Sequence, residues 1–252
     1  MAFTDLEYQA AQPPPPLAKF VESFWMLANP SEVEQHIILV PDGRIDVFFS
    51  VSAAEPYHVT LLGLQDRPEA QVIPARSTTF AISWNLLAVE YLLPIPLGEL
   101  LHRGRALPAD YLGMSGTDLR DFDAFCAKAA AHITPLLPGD LDPRKSKLFD
   151  RLYASNGSLP VEALAQAAGW SSRQINRYFT RLFGLSLKTY SSILRFRASW
   201  HYLKAGQLYA EGAFADQAHF IREIKKHTGV TPKELARNQN DRFIQFSAFS
   251  LP

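Results

Sequence analysis

The segment 172–184 carries polar side chains whose types and spacing suit contacts with nucleic-acid bases. Its apolar residues Ile175, Phe179 and Leu182 recur at helical spacing and predict a helix with one buried side. Arginine can bind guanine through two hydrogen bonds, and asparagine or glutamine can bind adenine in the same way. The opposite side has no acidic residue, which favours contact with nucleic acid. The alternative is a polar face that is only exposed to solvent. The candidate contact residues there are Arg173, Gln174, Asn176, Arg177, Thr180 and Arg181.

The same pattern occurs a second time, 45 residues further along the chain. Two apolar positions, an arginine and a closing glycine repeat at this offset, and the second glycine is Gly229. The opening aromatic residues, Trp170 and Phe214, are 44 apart, so the second turn is one residue longer. Two such units in tandem predict two helix-turn-helix modules with double-stranded DNA as the partner. In the second unit the candidate contact residues are Gln217, His219, Arg222, Lys225 and Lys226.

The charge is divided unevenly along the chain. The whole sequence has 25 basic and 25 acidic residues, but residues 1–142 hold 8 basic and 18 acidic ones, a net charge of −10. Residues 143–252 therefore carry a net charge of +10. Lysine and arginine release condensed cations when they neutralise phosphates, so this asymmetry favours a nucleic-acid-binding part joined to another domain. A basic surface on an ordinary helical domain is the alternative.

Composition and motifs also indicate what the chain is not. One cysteine among 252 residues excludes an intramolecular disulfide and favours a cytoplasmic protein. No apolar run is long enough to predict a membrane span, and the start lacks the pattern of a signal peptide. Phosphate-binding loops, dinucleotide glycine patterns and catalytic serine motifs are absent from the sequence. A metal held by His36, His58 and an acid is conceivable, but packing explains these histidines more simply. We therefore predict no enzymatic activity, no cofactor and no metal.

The two halves predict different folds, so the fold class is α+β with two domains. Short runs of β-branched and aromatic residues between 20 and 84 predict an antiparallel β-sandwich or barrel-like domain. The turn at 41–43 predicts a hairpin between its flanking strands. Asp42, Arg44 and Asp46 around it form either an ion pair or part of a ligand pocket. We place a β-rich regulatory domain with trailing helices at 1–140, the double helix-turn-helix domain at 141–240 and a tail at 241–252.

Several helices follow from spacing and capping residues. Residues 86–101 predict short helices broken by Pro94 and Pro96, and residues 118–137 predict an amphipathic helix with acids in its first turn. Ser158 is a candidate N-cap of the next scaffold helix, which ends near Gly169. We expect Trp170 to lie in the core. The alternating tail 242–252 predicts an extended segment packed on the rest of the chain, with the acidic domain as one candidate surface.

The segments ALAQAAGWSSRQINRYFTRLFGLS, LRFRASWHYLKAG and FADQAHFIREIKKHTGVTP closely resemble the DNA-binding domain of AraC/XylS-type transcriptional regulators. The resemblance covers about residues 145–237 and implies two helix-turn-helix units joined by a long helix at 188–204. It implies that two recognition helices enter successive major grooves. By position it assigns base contacts to Arg173, Asn176 and Arg177, with Gln174 nearby, and in the second unit to Gln217, Ala218, His219 and Arg222, with Lys225 and Lys226 toward phosphates.

The N-terminal part weakly resembles the β-rich domain of one branch of this family. The segments FVESFWML, LVPDGRIDVFF and AISWNLLAVEYLLPIPLGELLHR carry this resemblance. It implies that the domain binds an effector, a partner protein or a second copy of the chain, and RNA polymerase is a further candidate partner. Aromatic residues of the strands either line an effector pocket or form the packed core. The candidate pocket residues are Trp25, Phe48, Phe80 and Trp84.

The sequence departs from the family in the second unit. Only AGQLYAEGA joins Lys204 to Phe214, so we expect its scaffold helix to be a single turn or absent. Base specificity should then depend mainly on the first unit. The resulting prediction is a sequence-specific transcriptional regulator whose N-terminal domain senses an effector or mediates an interaction. We also hypothesise that this acidic domain lies against the basic domain and holds it closed. An effector-independent regulator, or a helical protein-interaction module whose N-terminal domain only oligomerises, is the alternative.

Overall fold

Strands rich in β-branched and aromatic residues form the N-terminal part of the protein, as the sequence predicts. A computed structural model describes residues 6–93, 95, 97–207, 209, 214–238 and 242–248. Among them, the strands are β1 (Glu7–Ala11), β2 (Val21–Asn29), β3 (Gln35–Leu39), β4 (Ile45–Val51), β5 (His58–Leu62), β6 (Glu69–Ile73), β7 (Ser77–Trp84) and β8 (Gly104–Leu107).

The strands form two antiparallel sheets. A six-stranded sheet has the order β1-β2-β7-β4-β5-β8, and β3 pairs with β6 in a separate two-stranded sheet. The prediction of an antiparallel β-domain is confirmed, but the predicted hairpin at 41–43 is wrong. Strands β3 and β4 flank this turn and belong to different sheets. The turn residues reverse the chain locally, and Gly43 has a φ of +78°, but they do not determine which strand β4 pairs with.

The C-terminal part is helical, as predicted. The helices described are α1 (Leu86–Tyr91), α2 (Phe122–Ile133), α3 (Pro143–Ala154), α4 (Val161–Ala167), α5 (Ser172–Phe183), α6 (Leu187–Ala198), α7 (Trp200–Lys204), α8 (Gln217–Thr228), α9 (Pro232–Arg237) and α10 (Ile244–Ala248). Helices α4 and α5 form the first helix-turn-helix pair, α6 and α7 follow it, and α8 occupies the position of the second recognition helix.

Some helix boundaries differ from the sequence predictions. The helix expected over 118–137 is shorter, because Asp121 caps α2 by accepting a hydrogen bond from the Ala124 amide. Ser158 does not cap α4, which instead begins after Pro160 without a side-chain cap. The predicted long helix at 188–204 is divided at Ser199 into α6 and α7. The predicted helix breakers Pro94 and Pro96, and residues 208 and 210–213 of the short link, lie outside the described residues.

A continuous hydrophobic core joins the six-stranded sheet to the first helix-turn-helix unit. Alternate residues of the strands, including Phe49 and Phe80, point to one face, where both rings contact Phe125 of α2 at 5.4 and 5.2 Å between centroids. The same core continues through α3 and α5 to Ile193 of α6. Hydrophobic burial therefore fixes the first unit against the β-domain.

The second unit has its own core, which the tail completes. Phe243 and Phe246 of the tail are buried there with residues of α6 to α9 and with Val40 of the β-domain. The Gln245 side chain accepts from the Val40 amide at 3.0 Å and donates to its carbonyl at 2.9 Å. The tail thus packs on both domains, as expected, but the expectation of an extended segment is wrong because residues 244–248 form a helix.

Ion pairs and hydrogen bonds also cross from the β-domain to the helices. Glu22 of β2 pairs with Arg197 of α6 and with Arg44, whose guanidinium lies 3.3 Å away. The Tyr190 hydroxyl donates to the Gly43 carbonyl at 2.9 Å. Glu90 pairs with Lys145 of α3. Acidic groups of the first domain therefore meet basic groups of the second.

We predict that Gly98→Ala destabilises the protein by about 1–3 kcal/mol, the usual cost of overpacking. A methyl carbon at Gly98 would lie 2.8 Å from the Arg181 carbonyl oxygen of α5. Urea unfolding measures the change. Gly139→Ala is the matched control, since nothing lies within 4 Å of its added carbon. Equal stability of the two variants would contradict close packing between α5 and the β-domain.

Candidate nucleic-acid interface and internal cavity

Helix α5 is defined at both ends by its own sequence. The Ser171 side chain accepts from the Gln174 amide, and the Gln174 side chain accepts from the Ser171 amide at 2.8 Å. Gly184 ends the helix with a φ of +74°, a conformation that glycine adopts without strain. Ile175, Phe179 and Phe183 are buried, so the inner face is fixed and the outer face points away from the core.

The outer face of α5 is basic and exposed. Arg173, Arg177, Thr180 and Arg181 are all exposed. Within the part of the chain that the structure describes, the three arginines form no salt bridge, so their guanidinium groups are available for phosphates or base edges. The three arginines follow one another at four-residue spacing and form a stripe along the helix.

Gln174 and Asn176 are engaged within the helix. The Gln174 side-chain oxygen accepts hydrogen bonds from the Ser171 amide and hydroxyl. Asn176 is half-buried, and its side-chain amide donates to the Ser172 carbonyl at 2.9 Å. Each of these side chains would have to break its hydrogen bonds within the helix before both its polar atoms could contact a base. The arginines are therefore better placed for base contacts than the two amides.

The β-domain contacts α5 on its inner side and leaves the outer residues uncovered. The Tyr178 hydroxyl donates to Glu90 at 2.9 Å. Trp170 is only half-buried and packs against Tyr178 with ring centroids 5.1 Å apart, so the expectation that it lies in the core is only partly met. The acidic domain lies against the basic one and leaves these α5 residues exposed. That it holds the basic domain closed stays a prediction.

Helix α8 presents a second basic face. Asp216 caps it by accepting from the His219 amide at 2.6 Å, and Gly229 ends it with a φ of +76°. Gln217, Ala218, Arg222, Lys225 and Lys226 are exposed, whereas His219 is half-buried.

The acidic residue of α8 faces inward. Glu223 accepts a hydrogen bond from Ser192 of α6 and lies near the His227 ring. Burial, with Lys226 nearby, lowers the pKa of His227 to about 4, so this ring is neutral at physiological pH. The outer face of α8 therefore carries no negative charge from Glu223.

The two sheets enclose a cavity of about 490 Å³ on the face of the large sheet opposite α2. Trp25 and Phe48, two of the four candidate pocket residues, line it. Phe80 and Trp84 do not, and their assignment to the pocket is wrong. They are buried on the opposite face, where Phe80 packs on Phe122 and Phe125. Neighbouring strand residues point to opposite faces, so Phe48 and Phe49 cannot share one environment.

Charged residues form one end of the cavity. Asp42, Arg44 and Asp46 all line it, so the ion-pair and pocket interpretations both hold for this cluster. The Arg44 guanidinium lies 3.8 Å from Asp42. Burial, followed by the neighbouring Asp42, raises the pKa of Asp46 to about 7, although the Ser83 hydroxyl donates to Asp46 and opposes this shift. The sequence did not indicate Glu22 or Tyr8, because neither belongs to a recognisable motif.

The described residues contain neither a candidate metal cluster nor a membrane-spanning helix. No group of three or more histidine, cysteine, aspartate or glutamate side chains is arranged to hold a metal ion. None of the helices described is long and apolar enough to cross a membrane.

Comparison with known families identifies the helical part. A model described as a helix-turn-helix domain matches residues 164–238. The C-terminal part of this chain is an AraC-type helix-turn-helix domain. The protein is therefore a DNA-binding transcription regulator. A second model, described as a domain of unknown function (DUF6597), matches residues 9–104 in the β-domain.

Among solved structures, the chain is similar to ToxT from Vibrio cholerae. One ToxT crystal structure aligns with a TM-score of 0.45 and 9% identity, over 92% of this chain and 97% of that chain. Another, bound to (E)-4-(8-methylnaphthalen-1-yl)but-3-enoic acid, aligns with a TM-score of 0.42 and 12% identity over the same shares. These similarities are too distant to assign residue roles or a ligand. No curated protein matches the chain.

We predict that Asp46 makes folding stability fall as pH rises from about 4 to about 7. In this window the folded state, with an Asp46 pKa of about 7, holds a proton that the unfolded state has lost. Asp46→Asn should remove that part of the slope, at about 1.4 kcal/mol for each pKa unit. Urea unfolding across this pH range measures it. The exposed Asp140→Asn is the control, and an unchanged slope in Asp46→Asn would contradict the assignment.

Proposed function

We propose that the protein is a sequence-specific regulator that contacts DNA through α5 and α8. The supporting observation is that both helices are capped, fixed by a buried inner face and exposed on an outer basic face. Arg173 and Arg177 of α5 are proposed to contact bases, and Thr180 and Arg181 to contact the flanking backbone. In the second unit, Arg222 is proposed to contact a base, with Lys225 and Lys226 on phosphates. Gln174, Asn176, Gln217 and His219 contribute secondary contacts.

The proposed division of roles follows from the supporting structure of each unit. The first unit shares the large core with the β-domain, whereas the second is held by a smaller core and the tail. We therefore assign most of the base specificity to α5. Several expectations stay predictions. They are the domain limits at 140 and 240, the absence of enzymatic activity, and a second copy of the chain and RNA polymerase as partners.

We further propose that the cavity binds a small effector and that α10 communicates with it. Ile244 and Gln245 line the cavity, while the neighbouring Phe243 and Phe246 are buried in the core of the second unit. One short helix therefore contacts both the ligand space and the second DNA-binding unit. An effector-independent regulator is the competing proposal.

Replacing one arginine tests the DNA contact. Arg177→Ala should weaken binding to the preferred site by about 1–3 kcal/mol and relax the base preference, whereas Lys226→Ala should weaken all sequences alike. Fluorescence anisotropy with a salt titration measures both. Arg105→Ala, an exposed arginine of β8, is the control with the same change of charge and should bind as the wild type does. Absence of binding at about 50 mM salt would favour a protein-interaction module instead.

A second substitution tests the role of the tail. Gln245→Ala removes both hydrogen bonds to Val40 and should lower stability by roughly 1–3 kcal/mol. It should also weaken footprinting protection at the half-site of α8 more than at that of α5. The exposed Gln9→Ala on β1 is the control. Equal loss of protection at both half-sites would contradict a specific link to the second unit.

A further inference from the structure

Within the described ranges, the charged cluster at and behind the polar end of the cavity holds one more carboxyl group than guanidinium groups. Glu22, Asp42 and Asp46 supply three carboxyl groups, and Arg44 and Arg197 supply two guanidinium groups. Glu22 pairs with both arginines and Asp42 pairs with Arg44. Among the described residues, Asp46 forms no ion pair although it lines the cavity. Its position therefore favours a positive charge supplied from inside the cavity.

Aromatic rings lie beside this carboxyl group. Trp25 contacts Phe48 edge to face, with ring centroids 5.1 Å apart, and Tyr8 lies 6.5 Å from Trp25. The Trp25 indole donates to Ser83 at 2.9 Å, and Ser83 in turn donates to Asp46. This chain of hydrogen bonds fixes the Trp25 ring and the carboxyl group relative to each other. Aromatic faces attract organic cations, and this attraction is stronger when water is excluded.

The rest of the cavity suits an apolar body. Leu27, Ile37, Leu39 and Leu62 line it, from both sheets. A cavity of 490 Å³ lies within the usual range for small-molecule sites. Residues of β3 and β6 line the cavity together with Trp25 and Phe48 of the large sheet, so a ligand that fills this space would contact both sheets.

We propose that the cavity binds an organic cation, with its ammonium group beside Asp46 and its apolar body between Trp25, Phe48 and the small sheet. This inference rests on the proposed effector function, because it names the chemical class of that effector. A ligand carboxylate at this end would face Asp42 and Asp46, and Arg44 is already paired with two acids. Of the described residues that line the cavity, the four acids Asp42, Asp46, Glu55 and Glu69 outnumber the two arginines Arg44 and Arg103. A neutral ligand would leave Asp46 without a countercharge.

The proposal also predicts how binding depends on pH. The titratable and charged groups that act on Asp46 are Asp42 and Arg44, and Tyr8 and Arg197 belong to the same cluster. Burial raises the pKa of Asp46 to about 7, so a bound cation would favour the ionised form and release its proton. Affinity for a cation should therefore rise with pH up to about 7 and level off above it.

Three probes that share an indole ring but differ in their polar group distinguish the classes of ligand. Tryptamine carries an ammonium group, tryptophol a hydroxyl and indole-3-propionate a carboxylate. Isothermal titration of the full chain should show tryptamine binding about tenfold more tightly than either analogue. Its affinity should be about fivefold higher at pH 7 than at pH 6 if Asp46, with a pKa of about 7, must ionise. Titrations in buffers of different ionisation enthalpy should show that binding releases a proton.

Two variants locate the site. Asp46→Asn should remove both the preference for tryptamine and the proton release, whereas Asp140→Asn should retain them. The proton release of the wild type is measured independently, so the proposal is tested even if Asp46→Asn does not fold. Equal or tighter binding of tryptophol or indole-3-propionate would show that the ligand is not an organic cation, but would not contradict the proposal that the cavity binds an effector. Absence of binding by all three probes would overturn the inference, while DNA affinity, measured separately, tests the regulator itself.

Discussion

The structure depends on one half-buried carboxylate that is shared by two domains. Glu22 of the large sheet lies between Arg44 of the same domain and Arg197 of α6. Burial alone would raise the pKa of Glu22, but the two guanidinium groups outweigh it and hold this pKa below its ordinary value. Removing one member of such a group leaves a buried charge without compensation, which is strongly destabilising. The orientation of α6, and with it the position of both helix-turn-helix units, is therefore tied to the sheet.

This arrangement connects the cavity to the helices that carry the proposed DNA-binding faces. Arg44 belongs both to the bridge and to the cavity wall, and Tyr190 of α6 donates to Gly43 beside it. Gln245 also lines the cavity and is hydrogen-bonded to Val40, which belongs to the core of the second unit. A ligand that changes the charge of the cavity would act on groups that hold both units. Coupling needs such differential contacts in addition to proximity.

The sequence predicted the elements better than their arrangement. Apolar periodicity located α5 and α8, because their burial repeats at helical spacing. The same periodicity missed β1, an edge strand with the sequence EYQAA, which contains few residues that favour strands. It could not assign Phe80 to one face, since alternation shows which residues share a face but not which face borders the cavity. The pairing of Glu22 with Arg197 joins residues 175 apart and has no local signal.

The central claim is that two recognition helices are held together to contact DNA at fixed spacing. Selecting binding sites from random duplexes with the full chain tests this most directly. The account predicts two conserved motifs separated by about one helical turn, roughly 10 base pairs, with the stronger preference at the motif of α5. A single conserved motif, or two motifs at variable spacing, would contradict it.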